Sequence, residues 1–198
     1  VNPHQVPTAK LALRDQVLAA RRRRSLAESA ELAARTCEHL LAHPAVRRAG
    51  CVAAYVSVSR EPGTGLLLEA LRAAGKRVLL PVLLADNDLD WAVYTSAEDL
   101  LPAARGTLAP RGPLLGVEAI AAADAVLVPG LAVSPSGLRL GRGGGSYDRA
   151  LARVPVGTFT AVLLHPDEVG LDVPGQDHDR TVTAVATGDG VLTLNAGG

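Results

Sequence analysis

Apolar positions recur at helical spacing early in the chain and in short continuous runs further on. Thr8 caps a predicted helix carrying Leu11, Leu13, Val17 and Leu18. Residues 1–7 hold two prolines and no periodicity, and read as a loose end. A second helix begins at the capping-box pattern Ser25-Leu26-Ala27-Glu28. It carries Leu26, Ala30, Ala33, Cys37, Leu40 and Leu41 and ends by Pro44. The run 51–57 has a buried-strand pattern, and Arg60-Glu61-Pro62-Gly63 is a turn. Thr64 then caps a helix through Leu71 that closes at Gly75, and 77–84 is a strand broken by Pro81. Strand, helix, strand at this spacing is a βαβ unit, so the sheet is at least partly parallel. Residues 89–94 alternate and pair antiparallel with a neighbour across the turn 85–88. Residues 101–116, rich in Pro and Gly, read as a long loop of functional type. A strand at 126–128 stops at Pro129-Gly130, and Ser146 caps a helix beginning at Tyr147. Strands follow at 158–164, 183–187 and 191–194, with a loop at 173–180. No internal repeat or domain boundary interrupts residues 1–198.

Composition narrows the classes. The 198 residues suit one α/β domain with a full core. Aromatic residues make up only 3%, so Ala, Val and Leu must fill that core, and stacking platforms for single-stranded nucleic acid are nearly absent. Lys+Arg and Asp+Glu both number 20, so no global field draws the protein to nucleic acid or an anionic membrane. The run Arg21-Arg22-Arg23-Arg24 reads as a solvated helix face. Cys37 and Cys51 show neither CxxC nor zinc spacing and read as buried thiols of a reducing cytosol. There is no signal-peptide pattern and no apolar run of membrane-spanning length.

The chemistry concentrates after the strand at 126–128. Arg139, Gly141, Arg142, Gly143, Gly144 and Gly145 fall within seven residues. Strand, glycine-rich loop, helix is an arrangement that grips phosphate, because glycines let backbone N–H groups converge and the helix start adds more. Arg139 and Arg142 add charge-assisted donors. Asp148, an acid beside an anion site, calls for a cation between them, and Mg2+ is the natural one. Neither common nucleotide fingerprint is met: GxxxxGK with Ser or Thr is absent, and Ser146 occupies the third glycine position of GxGxxG. A surface turn with two solvated arginines is the competing reading. Lys10 and Arg14 lie four apart, on one helical face, where like charges repel unless an anion lies between them; spacing alone favours two solvated charges. Glu61 sits just beyond a strand end, where open α/β sheets put ligand groups, and equally suits a turn carboxylate in water. His178-Asp179 follows Pro174-Gly175 and, with Asp148, gives a second candidate for metal contact.

Taken together, these segments resemble the 5-formyltetrahydrofolate cyclo-ligase (5,10-methenyltetrahydrofolate synthetase) family. The resemblance rests on Lys10 with Leu13-Arg14, Tyr55 and Ser57 followed by Glu61 and Thr64, Pro81, Pro129-Gly130 through Asp148-Arg149, and Val173-Pro174 with His178-Asp179. It implies a single three-layer α/β/α domain with a mixed, largely parallel central sheet. It also implies ATP- and Mg2+-dependent closure of 5-formyltetrahydrofolate to 5,10-methenyltetrahydrofolate, through a phosphorylated formyl oxygen, by a cytoplasmic monomer. By this resemblance Lys10, Arg14, Arg139, Leu140, Gly141, Arg142, Gly143, Gly144, Gly145, Ser146 and Tyr147 hold ATP. Val56, Glu61, Gly144, Gly145, Ser146 and Tyr147 meet the reduced folate, Asp148 and Asp179 attend the metal, and Arg142 and Tyr147 serve the chemistry. The chain departs from the family pattern at four places. Ala132-Val133-Ser134 stands for Ala-Phe-Asp, Ser146 for a Tyr, Ala109-Pro110 for Glu-Pro, and a residue near His165 for a Gln. These losses are expected where folate and the loop's packing are handled. They motivate an alternative: a folate- or nucleotide-binding relative that acts as buffer or regulatory partner without catalysis. A sugar-phosphate isomerase on a similar scaffold would leave Lys10, Arg14 and Asp179 without a task.

Overall fold

The computed structural model describes residues 5–176 and 179–194. Three helices come first: α1 Gln5–Arg23, α2 Leu26–Ala42 and the short α3 Pro44–Arg48. Then follow β1 Cys51–Ala53, α4 Gly65–Ala73, β2 Arg77–Leu83 and β3 Leu89–Val93. A small hairpin of β4 Leu100–Pro102 and β5 Leu108–Pro110 precedes β6 Ala125–Pro129. A two-stranded ribbon, β7 Ala132–Val133 with β8 Arg139–Leu140, leads into α5 Ser146–Ala152. The strands β9 Phe159–Leu163, β10 Ala184–Thr187 and β11 Gly190–Thr193 close the chain.

Seven strands form one sheet in the order β11-β10-β9-β6-β1-β2-β3. The inner five are parallel, and both edge strands join antiparallel. The mixed, largely parallel sheet expected from the sequence is therefore present. Its apolar runs are buried on both faces, as parallel strands require. Side chains alternate between two cores: Val52, Val78, Leu80, Leu127 and Leu163 face α2, α3 and α4 through Leu40, Val46, Leu67 and Leu71. Ala53, Leu79, Val126, Val128 and Val162 face the other way, toward Trp91, Ile120 and Ala150 and Leu151 of α5. α1 lies apart from both cores and packs Val17 against Leu131, Ala132, Leu140 and Val173.

Several local expectations change. α1 starts at Gln5 rather than Thr8, so residues 5–7 are helical, and 1–4 lie outside the described residues. Pro7 fits there because the first helical N–H groups have no intrahelical partner. Ser25 does cap α2, accepting from Glu28 N at 3.1 Å, but the Glu28 carboxylate takes Arg24 instead of closing the box. Thr64 is not a side-chain cap: its hydroxyl accepts from Ser57 N at 2.8 Å, and Ser57 Oγ accepts from Thr64 N at 3.0 Å. The strand of the run 51–57 is only β1; the rest leaves the sheet toward Glu61. Pro81 does not break β2 but pairs with Trp91. Val78 O accepts from Tyr94 N and Leu79 O from Ala54 N, so alternation points the Pro81 nitrogen to the side where β1 has already ended. Residues 101–116 include the β4–β5 hairpin, and α5 is preceded by Gly145 at φ 69°, with Ser146 as its first residue. Cys37 is buried but Cys51 only half-buried; neither is in a disulfide.

The largest correction concerns the arginine run. Arg21 is 1% exposed. Its Nε and Nη2 reach the two Glu168 carboxylate oxygens at 2.6 and 2.7 Å, and Nη2 also donates to Gly130 O at 2.8 Å. Arg24 bridges Glu28 and Asp167. Glu168 further accepts from His165 N at 3.0 Å. This node fastens α1 to the chain leaving β6 and to the loop after β9. Removing one member strands a buried charge, so Arg21→Met is expected to lower stability by about 3–5 kcal/mol in urea unfolding, with Arg21→Met/Glu168→Leu recovering part of it. Burial holds the His165 imidazole below its ordinary value, with Glu168 opposing. The unfolded chain therefore takes up the proton first as pH falls through about 6.5, and stability declines from there toward the folded value. Unfolding at about pH 7.5 and about pH 5.5 is expected to show a smaller acid loss in His165→Gln than in the wild type.

Candidate active site

β1 and β6 are neighbours, yet their following segments depart differently. β1 continues through Tyr55, Val56 and Glu61 to α4 on one face; β6 continues through Gly130 and the glycine loop to α5 on the other. Such a switch in strand order leaves a crevice at the carboxyl ends of the strands. A cavity of about 420 Å³ opens there. Lys10, Arg14, Val56, Glu61, the whole stretch from Arg139 to Asp148, and Asp179 all line it. Every residue assigned to a site from the sequence is thus brought to one place, apart from His178, which lies outside the described residues.

Small residues shape the approach. A Cβ on Gly130 would stand 2.5 Å from Val162, and one on Gly141 would stand 2.8 Å from Arg139. Gly143 and Gly145 hold φ of 101° and 69°, left-handed backbone that other residues adopt only under strain. Arg14 comes from α1, and its Nε donates to Gly141 O at 2.9 Å. Lys10 Nζ binds Asp179 Oδ2 at 2.6 Å and Gln176 Oε1 at 3.0 Å. Arg142 pairs with Glu61 at 3.1 Å; the Glu61 side chain is 6% exposed and also accepts from Val58 N at 2.9 Å. Arg139 is buried and turned to the cavity's frame, donating to Pro129 O and to Asp148 Oδ1 at 3.2 and 3.1 Å. Its guanidinium carbon lies 5.8 Å from the Tyr147 ring centre. Burial pushes the Tyr147 phenol well up and the Glu61 charge adds to this, so Tyr147 is a neutral donor at working pH.

The donor set fits a phosphate chain and a hard cation. The glycine backbone, Arg14 and Arg142 supply N–H groups and charge. Asp148 Oδ1 receives Arg139 and the Arg180 N–H, whereas Oδ2 has no hydrogen-bond partner among the described residues. A carboxylate oxygen in that state, beside a phosphate cradle, suits Mg2+. Among the described residues no group of three or more His, Cys, Asp or Glu is arranged to hold a metal.

The sequence reading assigned no role to several cavity residues: Pro81, Leu83, Leu89, Arg105, Leu108 and Gln176. Pro81 and the alternation of β3 are visible in the sequence, but their convergence is set by the β2–β3 pairing. The departures from the family pattern are spread between the packing beneath the glycine loop and the protein beyond the cavity. Ser134 accepts from Leu138 N inside the buried ribbon, while Ala109 and His165 stand outside the cavity lining; only Ser146 reaches it.

The chain matches the 5-formyltetrahydrofolate cyclo-ligase family over residues 6–188. It is 42% identical to the 5-formyltetrahydrofolate cyclo-ligase of Mycolicibacterium smegmatis over 143 residues, 69% of this chain and 72% of that protein. It is 30% identical to the Escherichia coli K12 enzyme of the same name over 176 residues, covering 84% and 94%. The solved structure of Aquifex aeolicus 5,10-methenyltetrahydrofolate synthetase superposes with a TM-score of 0.81 at 27% identity, covering 96% of this chain and 94% of that one. Sequence and fold agree along nearly the whole chain, which belongs to the 5-formyltetrahydrofolate cyclo-ligase family.

Proposed function

We propose that this protein closes 5-formyltetrahydrofolate to 5,10-methenyltetrahydrofolate in an ATP- and Mg2+-dependent reaction that releases ADP and phosphate. The observation that carries this is the convergence of Glu61, the Lys10–Arg14 face of α1, the glycine loop and two acids on one cavity. A formyl oxygen is a poor leaving group as hydroxide; ATP supplies the phosphoryl group that makes it leave as phosphate, and Mg2+ neutralises charge in that transfer. The chain's own residues then position and neutralise. Glu61, fixed by Val58 N and Arg142, accepts from pterin N–H groups and orients the folate. Arg142 links that carboxylate to the loop, so its guanidinium stands between the two substrates and stabilises negative charge as it develops. Tyr147, held neutral, donates to an oxygen of the reacting end. Lys10 and Arg14 receive phosphate oxygens from the α1 side, and Asp148 and Asp179 attend the metal. No side chain is needed as a nucleophile, since N10 of the substrate attacks the formyl carbon. The protein acts on small molecules as a cytoplasmic monomer, without nucleic acid or membrane; among the described residues no helix is long and apolar enough to cross one.

Purified protein with 5-formyltetrahydrofolate is expected to develop the methenyl absorbance only when ATP and Mg2+ are both present. No rise from folded protein refutes catalysis and favours a binding relative. Arg142→Ala is expected to lower kcat by about 10²–10³-fold. Asp148→Asn, which keeps an acceptor for Arg139, is expected to raise the Mg2+ concentration for half-maximal rate at least about tenfold. An unchanged Mg2+ dependence removes Asp148 from the metal site.

A further inference from the structure

Five cations line the cavity among the described residues, and three of them face carboxylates: Lys10 with Asp179, Arg139 with Asp148, Arg142 with Glu61. The remaining two, Arg14 and Arg105, are in no ion pair with a described residue. Arg14 belongs to the phosphate side. Arg105 enters from the tip of the β4–β5 hairpin, and the proposed function gives it no task.

The hairpin presents Arg105 in a fixed posture. Ala103 N donates to Thr107 O at 2.9 Å, and Thr107 N and Oγ1 both donate to Ala104 O. Between them Arg105 holds φ 56°, left-handed backbone that a non-glycine residue adopts only under strain. Its Nη2 donates to the side-chain oxygen of Asn87, a residue of the β2–β3 turn. Its Nη1 comes within 3.7 Å of where a Cβ on Gly144 would stand, so the guanidinium borders the glycine loop. Arg149 approaches from α5 and donates to Asn87 O at 2.6 Å. Asn87 therefore holds two guanidinium groups, that of Arg105 in the cavity lining and that of Arg149 behind it, through neutral oxygens. An amide oxygen orients a guanidinium without cancelling its charge. The adjoining wall is apolar: Pro81, Leu83, Leu89 and Leu108, with Leu108 still 36% exposed. A ligand with a flat apolar body and an anionic group fits that wall and that charge together.

We infer that Arg105 is a ligand-binding residue that takes an oxyanion of a bound reactant at the hairpin side of the cavity. The inference rests on the proposed function, whose reactants offer two such oxyanions: a glutamyl carboxylate of the folate and a phosphate of the nucleotide. Either suits the planar fork of a guanidinium.

Calorimetry on the full chain separates the sources with three probes: 5-formyltetrahydrofolate, the same compound lacking its glutamyl group, and a non-hydrolysable ATP analogue with Mg2+. Arg105→Gln is expected to weaken one reactant class about tenfold, the size of one charge-assisted hydrogen bond, and Arg105→Lys to restore part of it. A loss confined to the glutamyl-bearing folate identifies the carboxylate; a loss confined to the nucleotide identifies phosphate. Unchanged binding of all three probes by folded Arg105→Gln overturns the inference, as does an equal loss on all three, which marks a structural role. Wild-type protein that binds neither folate nor nucleotide refutes the proposed function, and this inference with it.

Discussion

Two adjacent parallel strands send their chains to opposite faces of the sheet, and the rest of the molecule is arranged around that reversal. The backbone beyond Ala53 turns to α4 over one core, and the backbone beyond Pro129 turns to α5 over the other. Neither segment can cover the gap between them, because each is committed to packing its own helix. What remains is a crevice whose two lips are set by the sheet. Glu61 sits on one lip and the glycine loop on the other, and their Arg142–Glu61 contact of 3.1 Å joins them across it. The precision of the site is therefore inherited from strand register rather than from the loops themselves.

The third wall depends on a different interaction. α1 packs on the small β7–β8 ribbon rather than on the sheet, through buried Val17 and half-buried Leu13 and Leu18 alone, a contact that would fix it weakly. The buried Arg21–Glu168 pair, with the bond to Gly130 O, pins the helix where the chain leaves β6. Lys10, Arg14, Val17 and Arg21 fall at offsets of four, three and four, so they share one face of α1. Fixing Arg21 at one end therefore carries Lys10 and Arg14 over the glycine loop, three and two turns away. A desolvated ion pair contributes little net stability. Its value here is positional: it selects one register and one rotation for the helix.

Much of this was legible in the sequence, and the misses share causes. The glycine loop, Glu61 beyond a strand end and the βαβ unit are local patterns; the first two line the cavity, and the third is present as β1-α4-β2. Arg21 was misread because charge runs are usually solvated and its partner lies 147 residues away. The inward stripe on α1 was present in the spacing but was masked by its composition, since three of its four members are cations. Pro81 looked like a strand breaker because the sequence does not reveal that β1 stops short beside it. Thr64 and Ser146 have cap chemistry in plain view. Thr64 instead meets Ser57 across the turn that carries Glu61, and Gly145 takes the left-handed position that Ser146 would adopt only at a cost. Arg105 had no local signature; it gains meaning from a hairpin folding against β2 and β3.

The charge pattern of the cavity bears on how its ligands arrive. With 20 cationic and 20 acidic side chains, the protein has no net field to steer an anion, so attraction must be generated locally. Within the cavity, however, most cations are already neutralised, and by the very acids proposed to handle folate and metal. Lys10 is held by Asp179 and Arg139 by Asp148. On the proposed function, a cation drawn to Asp148 and Asp179 would take the open Oδ2 of Asp148 and compete with Lys10 for the Asp179 oxygens, so that the Lys10 charge would become available to phosphate. Phosphate in turn attracts the cation. On that reading each ligand would favour the other, and metal and nucleotide would bind with positive coupling. The pairs have a second consequence: they satisfy buried charges before any ligand is present, so the cavity keeps its shape without the cost of stranding Lys10 or Arg139 in a desolvated wall.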